Sequence, residues 1–187
     1  GGFMLTRVGV TGVKKPVQVC RGARNVKLIC TIDVFVDLPS NQKGSHLSRN
    51  LEVISETVEQ SLSKPVTGIE ALAAIISKDL LERHEYATFS EAHVTAEYFL
   101  ERTVPSGRKT MESYKLLARA TDRKENGLKK MIGVEVIGMT ACPCAMETVQ
   151  DLQKGNLRDK TCDLPNITHN QRNITTLMME VQEAYDL

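Results

Sequence analysis

The sequence predicts an α+β protein in which a four-stranded antiparallel sheet carries two helices on one face, and three observations predict it. Val26, Leu28, Cys30, Ile32, Val34, Val36 and Leu38 alternate without a miss, the period of a strand with one buried face. Residues 86–102 alternate again, with Tyr86, Ala92, Val94, Ala96, Tyr98 and Leu100 on one side and Glu91, His93, Glu97 and Glu101 mostly on the other. Between these runs Ile69, Leu72, Ala73, Ile76 and Leu80 recur at helical spacing, so an apolar helix face is available to cover one face of a sheet.

The remaining elements follow in chain order. Residues 5–20 hold Leu5, Val8, Val10, Val13, Val17 and Val19 among glycines and basic residues, which predicts an extended segment interrupted at Lys15-Pro16. Arg21-Gly22-Ala23-Arg24-Asn25 is short and glycine-bearing, so this segment and the strand after it form an antiparallel hairpin. Pro39 ends that strand, and residues 39–48 make a polar loop. Leu51, Ile54, Val58 and Leu62 mark a first helix. Thr67 with Glu70 three residues later reads as a capping box that opens the second helix. His84 stands at the end of that helix, where a cation complements the dipole. Val104–Arg108 turns the chain, and 111–121 returns as a fourth strand. Residues 122–130 read as a charged connector; the pattern then begins again with a strand at 131–140, a polar loop and a mixed strand at 173–181.

Composition narrows the function classes. A chain of 187 residues holds one ordinary domain or two small ones and is long enough to bury a core. Its net charge is +1 with Lys and Arg scattered, and four Tyr, four Phe and no Trp leave few stacking platforms, so no nucleic-acid partner is expected. No apolar run approaches the roughly 20 residues a membrane helix needs, and no signal-peptide core is visible, so the expectation is a cytoplasmic protein with no membrane partner. Cysteines at 20, 30, 142, 144 and 162 are odd in number and lack framework spacing, which predicts reduced thiols, with Cys162 structural.

The chemistry concentrates in residues 134–173. A β-like run from Val134 to Thr140 delivers Cys142-Pro143-Cys144, and a polar stretch then reaches Thr168-His169-Asn170-Gln171-Arg172-Asn173. Two cysteines only two apart do not match Cys-x-x-Cys, and Pro143 cannot donate to a ladder, so the pair is expected to cap the strand end with one thiolate as a ligand. Both cysteines also read as small buried apolar side chains, and His169 as a solvated loop histidine. A thiolate and an imidazole together suit zinc or ferrous iron and do not suit magnesium or calcium.

The segment Gly138-Met139-Thr140-Ala141-Cys142-Pro143-Cys144-Ala145 followed by His169-Asn170-Gln171-Arg172 resembles GTP cyclohydrolase type IB, most closely its archaeal form of methanopterin synthesis. Arg7-Val8-Gly9-Val10-Thr11-Gly12-Val13-Lys14-Lys15-Pro16 agrees, as do Asp37-Leu38-Pro39 and Lys43-Gly44-Ser45-His46-Leu47-Ser48-Arg49-Asn50. The resemblance implies tandem tunnelling-fold modules, the first at 3–126 and the incomplete second at 127–187 carrying the metal site. It implies a hydrolase that opens the guanine imidazole ring of GTP, releases formate and recloses to a dihydroneopterin phosphate. It implies Cys142 and His169 as metal ligands and catalytic residues, with ferrous iron preferred over zinc and manganese. Lys43, His46, Ser48 and Arg49 are implied on the triphosphate, and Asn170, Gln171 and Arg172 on the substrate and around His169. A homo-oligomer is implied, a tetramer with sites at subunit boundaries. The family carries a further metal ligand and a guanine-anchoring glutamate in its later part, without counterparts here, so a fragment is one expectation. A dithiol redox protein, a structural zinc module and a non-catalytic pterin- or purine-binding relative are the alternatives; strained Cys-x-Cys geometry weighs against the first.

Overall fold

The computed structural model describes residues 3–156 and 167–182. Its elements run β1 (Leu5–Arg21), β2 (Arg24–Leu38), α1 (Leu47–Ser63), α2 (Ile69–Arg83), β3 (Phe89–Thr103), β4 (Lys109–Arg123), β5 (Gly127–Ala141), α3 (Pro143–Asn156) and β6 (Asn170–Val181). The strands form one six-stranded sheet whose order, β1-β2-β3-β4-β5-β6, is the chain order. Two compact units share the strands: one takes in the chain to Glu135 and again from Thr176, the other Val136–Thr175.

In the larger unit, β1 and β2 form the expected antiparallel hairpin, in register from Arg21↔Arg24 to Leu5↔Leu38. Its two-residue loop begins at Gly22 with φ 57, a left-handed conformation that glycine adopts without a Cβ penalty. The alternation of β2 is observed as burial: Leu28, Cys30, Ile32, Val34 and Val36 are buried, whereas Ile29 on the other face is 62% exposed. Ile54 of α1 and Leu72, Ile76 and Leu80 of α2 are fully buried with these sheet residues in one cluster. Each such side chain stabilises the fold by roughly 1.5–3 kcal/mol relative to exposure. The other face of the sheet is not covered by any described element of this unit, and it carries Ile29, Phe99 and a set of charged residues.

The structure corrects several expectations. Pro16 does not interrupt β1; it pairs with Ile29 and is tolerated because β1 lies at the sheet edge, where a missing N–H breaks no ladder on the open side. The charged connector shrinks to residues 124–126, since β4 runs to Arg123 and β5 starts at Gly127. The capping box does not form: α2 is N-capped by Gly68 without a side-chain hydrogen bond, and Glu70 is wholly buried. Burial raises its pKa against the smaller pulls of its own backbone N–H and of Lys130. The polar loop after Cys142 contains a helix, α3, and β6 starts at Asn170, ahead of the expected 173. Cys162 lies outside the described residues. Cys20, Cys30, Cys142 and Cys144 are free, and burial pushes the Cys30 thiol up to about 12, which keeps it protonated in the core.

Candidate functional site

In the smaller unit, β5 ends at Ala141 and α3 begins at Pro143, so Cys142 occupies the single junction residue between strand and helix. Proline at the first helical position loses no needed donor and has φ set for the helix, which explains the abrupt start. The Cys142 carbonyl accepts from Met146 N–H at 3.3 Å, closing the first turn. The same residue is tied to the returning chain: its N–H donates to the His169 carbonyl at 3.4 Å, and the Thr168 hydroxyl donates to its carbonyl at 2.7 Å. The Thr140 hydroxyl donates to the Gln171 carbonyl at 3.2 Å. Three hydrogen bonds thus fasten 140–142 to 168–171, and the cysteine and the histidine are backbone neighbours.

Cys142 is half-buried and His169 exposed. Cys144 is an exposed residue in the first turn of α3, its carbonyl accepting from the Thr148 hydroxyl at 2.9 Å. Strand and helix therefore divide the two cysteines, and nothing forces them to act as a pair. Asn170, Gln171 and Arg172 are exposed on β6, where alternation sends Asn170 and Arg172 to one face and Gln171 to the other. Cys142 and His169 are a thiol and an imidazole, a donor set suited to zinc or ferrous iron. They supply two protein ligands where an open catalytic site ordinarily has three. Among the described residues no group of three or more His, Cys, Asp or Glu comes together.

The second set of expected residues lies in the larger unit. Lys43, His46 and Ser48 are exposed, and Arg49 is half-buried. His46 is the N-cap of α1 and makes no side-chain capping hydrogen bond. Arg49 reaches across to the end of α2, where Nη1 donates to the Arg83 carbonyl at 3.0 Å. Beneath them sits a network that the sequence reading missed. His84 is fully buried, with Nε2 2.7 Å from Asn50 Oδ1 and Nδ1 2.9 Å from the Tyr86 hydroxyl. Burial, then the Arg49 and His46 charges, pull its pKa down to about 4, so it is neutral and does not serve as the helix-end cation expected. A neutral ring accepts at one nitrogen and donates from the other. Asn50 Oδ1 has no proton to give, so Nε2 donates and the Tyr86 hydroxyl donates to Nδ1. Asn50 Nδ2 and Ser45 Oγ are buried beside this loop and, among the described residues, meet no hydrogen-bond partner. The spacing Asn50, His84, Tyr86 has no periodic signature; the legible signal was a polar residue inside the α1 stripe.

An antiparallel sheet in chain order, with two helices inserted between its second and third strands, is the arrangement of a tunnelling-fold protein, and solved structures share that fold. The chain superposes on uricase from Arthrobacter globiformis with a TM-score of 0.58 at 10% identity, covering 96% of this chain and 61% of the other. A hyper-thermostable uricase mutant gives 0.54 at 11% identity. At that identity the likeness concerns the fold. A family model described as type I GTP cyclohydrolase folE2 matches residues 2–187, and the chain belongs to that family. It is 45% identical to the GTP cyclohydrolase MptA of Methanococcoides burtonii and 44% identical to that of Methanosphaera stadtmanae. Each match covers 98% of this chain and 63% of the relative, so the chain spans somewhat under two thirds of the length of these proteins.

Proposed function

We propose that the chain carries the metal and phosphate-binding parts of a GTP cyclohydrolase that opens the guanine imidazole ring of GTP and releases formate, in methanopterin-type pterin synthesis. The observation that carries this reading is the hydrogen-bonded junction that makes Cys142 and His169 neighbours. Membership of the folE2 family and the names of the MptA relatives support the substrate. Cys142 and His169 would hold a divalent metal, ferrous iron before zinc or manganese, which when bound lowers the pKa of a water so that hydroxide is available near neutral pH for attack on C8. Asn170 and Arg172, on one face of β6, and Gln171, on the other, divide between them the orienting of His169 and the hydrogen bonding of the substrate. Lys43, His46 and Ser48 bind the triphosphate from the N-terminal end of α1, where backbone N–H groups also favour an anion. Arg49 joins them with the guanidinium nitrogens left over from its bond to Arg83.

The reading includes two tunnelling-fold modules, the second beginning near residue 127, and a homotetramer with sites at subunit boundaries. The open edge of the sheet at β1 supports the latter, because its unpaired backbone donors and acceptors are what a second copy would cover.

The test is metal analysis with a formate assay on GTP. Cys142→Ala and His169→Ala each lose bound metal and formate release, whereas Cys144→Ala keeps its metal. Full metal content in Cys142→Ala removes the assignment. Unfolding of the chain by chelator, with metal lost in all three variants, would point to a structural zinc module instead.

A further inference from the structure

The uncovered face of the larger unit holds a concentration of charge that the proposed reaction does not use. Glu91 is 1% exposed and is met by Arg7 Nε at 2.9 Å, by His93 Nε2 at 2.7 Å and by the guanidinium of Arg119. Burial raises its pKa, but the His93 hydrogen bond and the charges of Arg119, His93 and Arg7 outweigh it, and the carboxyl stays below its usual range. Asp37, also 1% exposed, accepts from the Thr88 N–H at 2.8 Å, the Thr88 hydroxyl at 2.6 Å and the Phe89 N–H at 2.9 Å. Both carboxylates are therefore already committed.

The arginines are aimed by aromatic rings. The Arg7 guanidinium lies 4.0 Å from the centre of Phe35, and that of Arg123 lies 4.3 Å from the centre of Phe89. Arg123 is opposite Phe89 in the β3–β4 register, and Arg119 is opposite His93. Arg7, Arg119 and Arg123 line one cavity of about 330 Å³ with Glu91 and Asp37. A neighbouring cavity of about 260 Å³ shares Phe89, Arg119 and Arg123 and adds Lys129, whose ammonium is 3.9 Å from Glu180. Arg123 rests on a ring and, among the described residues, meets no carboxylate.

Three guanidiniums against two committed carboxylates leave this crevice one positive charge in excess, with unused N–H forks beside space for a ligand. A guanidinium fork matches an oxyanion of tetrahedral phosphorus in geometry as well as charge. We propose that the crevice between the starts of β1 and β3 and the end of β4 binds a phosphate group, held by Arg123 and Arg119 with Arg7 at its edge, while Glu91 and the rings of Phe35 and Phe89 hold the guanidiniums in position. The group is either free phosphate or the phosphate end of a nucleotide. None of these residues takes part in the proposed cyclohydrolase chemistry, so the site stands or falls independently of it.

Calorimetric titration of the 187-residue chain with inorganic phosphate and with guanosine monophosphate, at low salt, tests this. Arg123→Met keeps an unbranched stem on Phe89 and removes the charge; it weakens phosphate binding at least tenfold with an unchanged melting temperature. Phe89→Leu, which removes the ring and no charge, weakens binding in the same direction. Lys109→Ala, which removes a charge at the opposite end of β4, leaves phosphate binding unchanged and shows that the effect is not one of net charge. Guanosine monophosphate binding tenfold tighter than phosphate identifies a nucleotide, and equal affinities identify free phosphate; both support the site. No heat from either probe, undiminished binding in Arg123→Met, or displacement by chloride at equal concentration overturns it.

Discussion

A histidine at a helix end is ordinarily a cation that favours the last carbonyls, and His84 shows how burial reverses that role. Folding lowers its pKa from 6.5 to about 4. Between those values the unfolded chain takes up a proton that the folded chain refuses, so stability falls as pH drops from 6.5 and levels off near 4. The loss is on the order of 3 kcal/mol. Thermal melts from pH 7 to 4 check it: His84→Gln is less stable at pH 7 because it loses the Asn50 and Tyr86 hydrogen bonds, yet it declines less steeply with acid. Parallel decline of both proteins would place the acid sensitivity elsewhere. Chemistry-bearing residue types were legible at this scale, and Cys142 and His169 do come together. Partner and protonation state were not, because both depend on residues far apart in sequence: Asn50 and His84 are joined only by the packing of α1 on α2. Glu70 failed for the same reason, since a capping box and a buried acid share one local pattern.

Periodicity made β2, α1, α2 and β3 readable, because each buries one face against the same core and that face repeats in sequence, and the turn at Val104–Arg108 made β4 readable as the returning strand. α3 was missed because its half-buried positions, Ala145, Met146, Val149 and Gln150, follow a cysteine pair that invites a loop. Pro143 at the first helical position was the available sign. β1 hides a different constraint. A Cβ on Gly9 would collide with the Val34 carbonyl of the neighbouring strand. Gly9→Ala therefore forces backbone apart and costs about 2 kcal/mol or more, measurable as a lower denaturation midpoint with an unchanged slope. Leu72→Ala, at a fully buried position of α2, costs about 2–5 kcal/mol by the same measurement.

For the molecule as a whole, a sheet with one covered face and an open edge at β1 leaves backbone donors and acceptors along that edge. The proposed tetramer pairs that edge and encloses the bare face with Ile29 and Phe99. Light scattering at micromolar concentration is expected to give four copies, and a fully active monomer contradicts it. The strand order has a separate consequence for how the chain is made. Every strand pairs with the one before it, so no strand waits for a later one to be inserted between its neighbours. Nascent chain leaving the ribosome at about 5–20 residues per second can lay down β1 through β4 and close the helices over them before Cys142 and Cys144 have been synthesised.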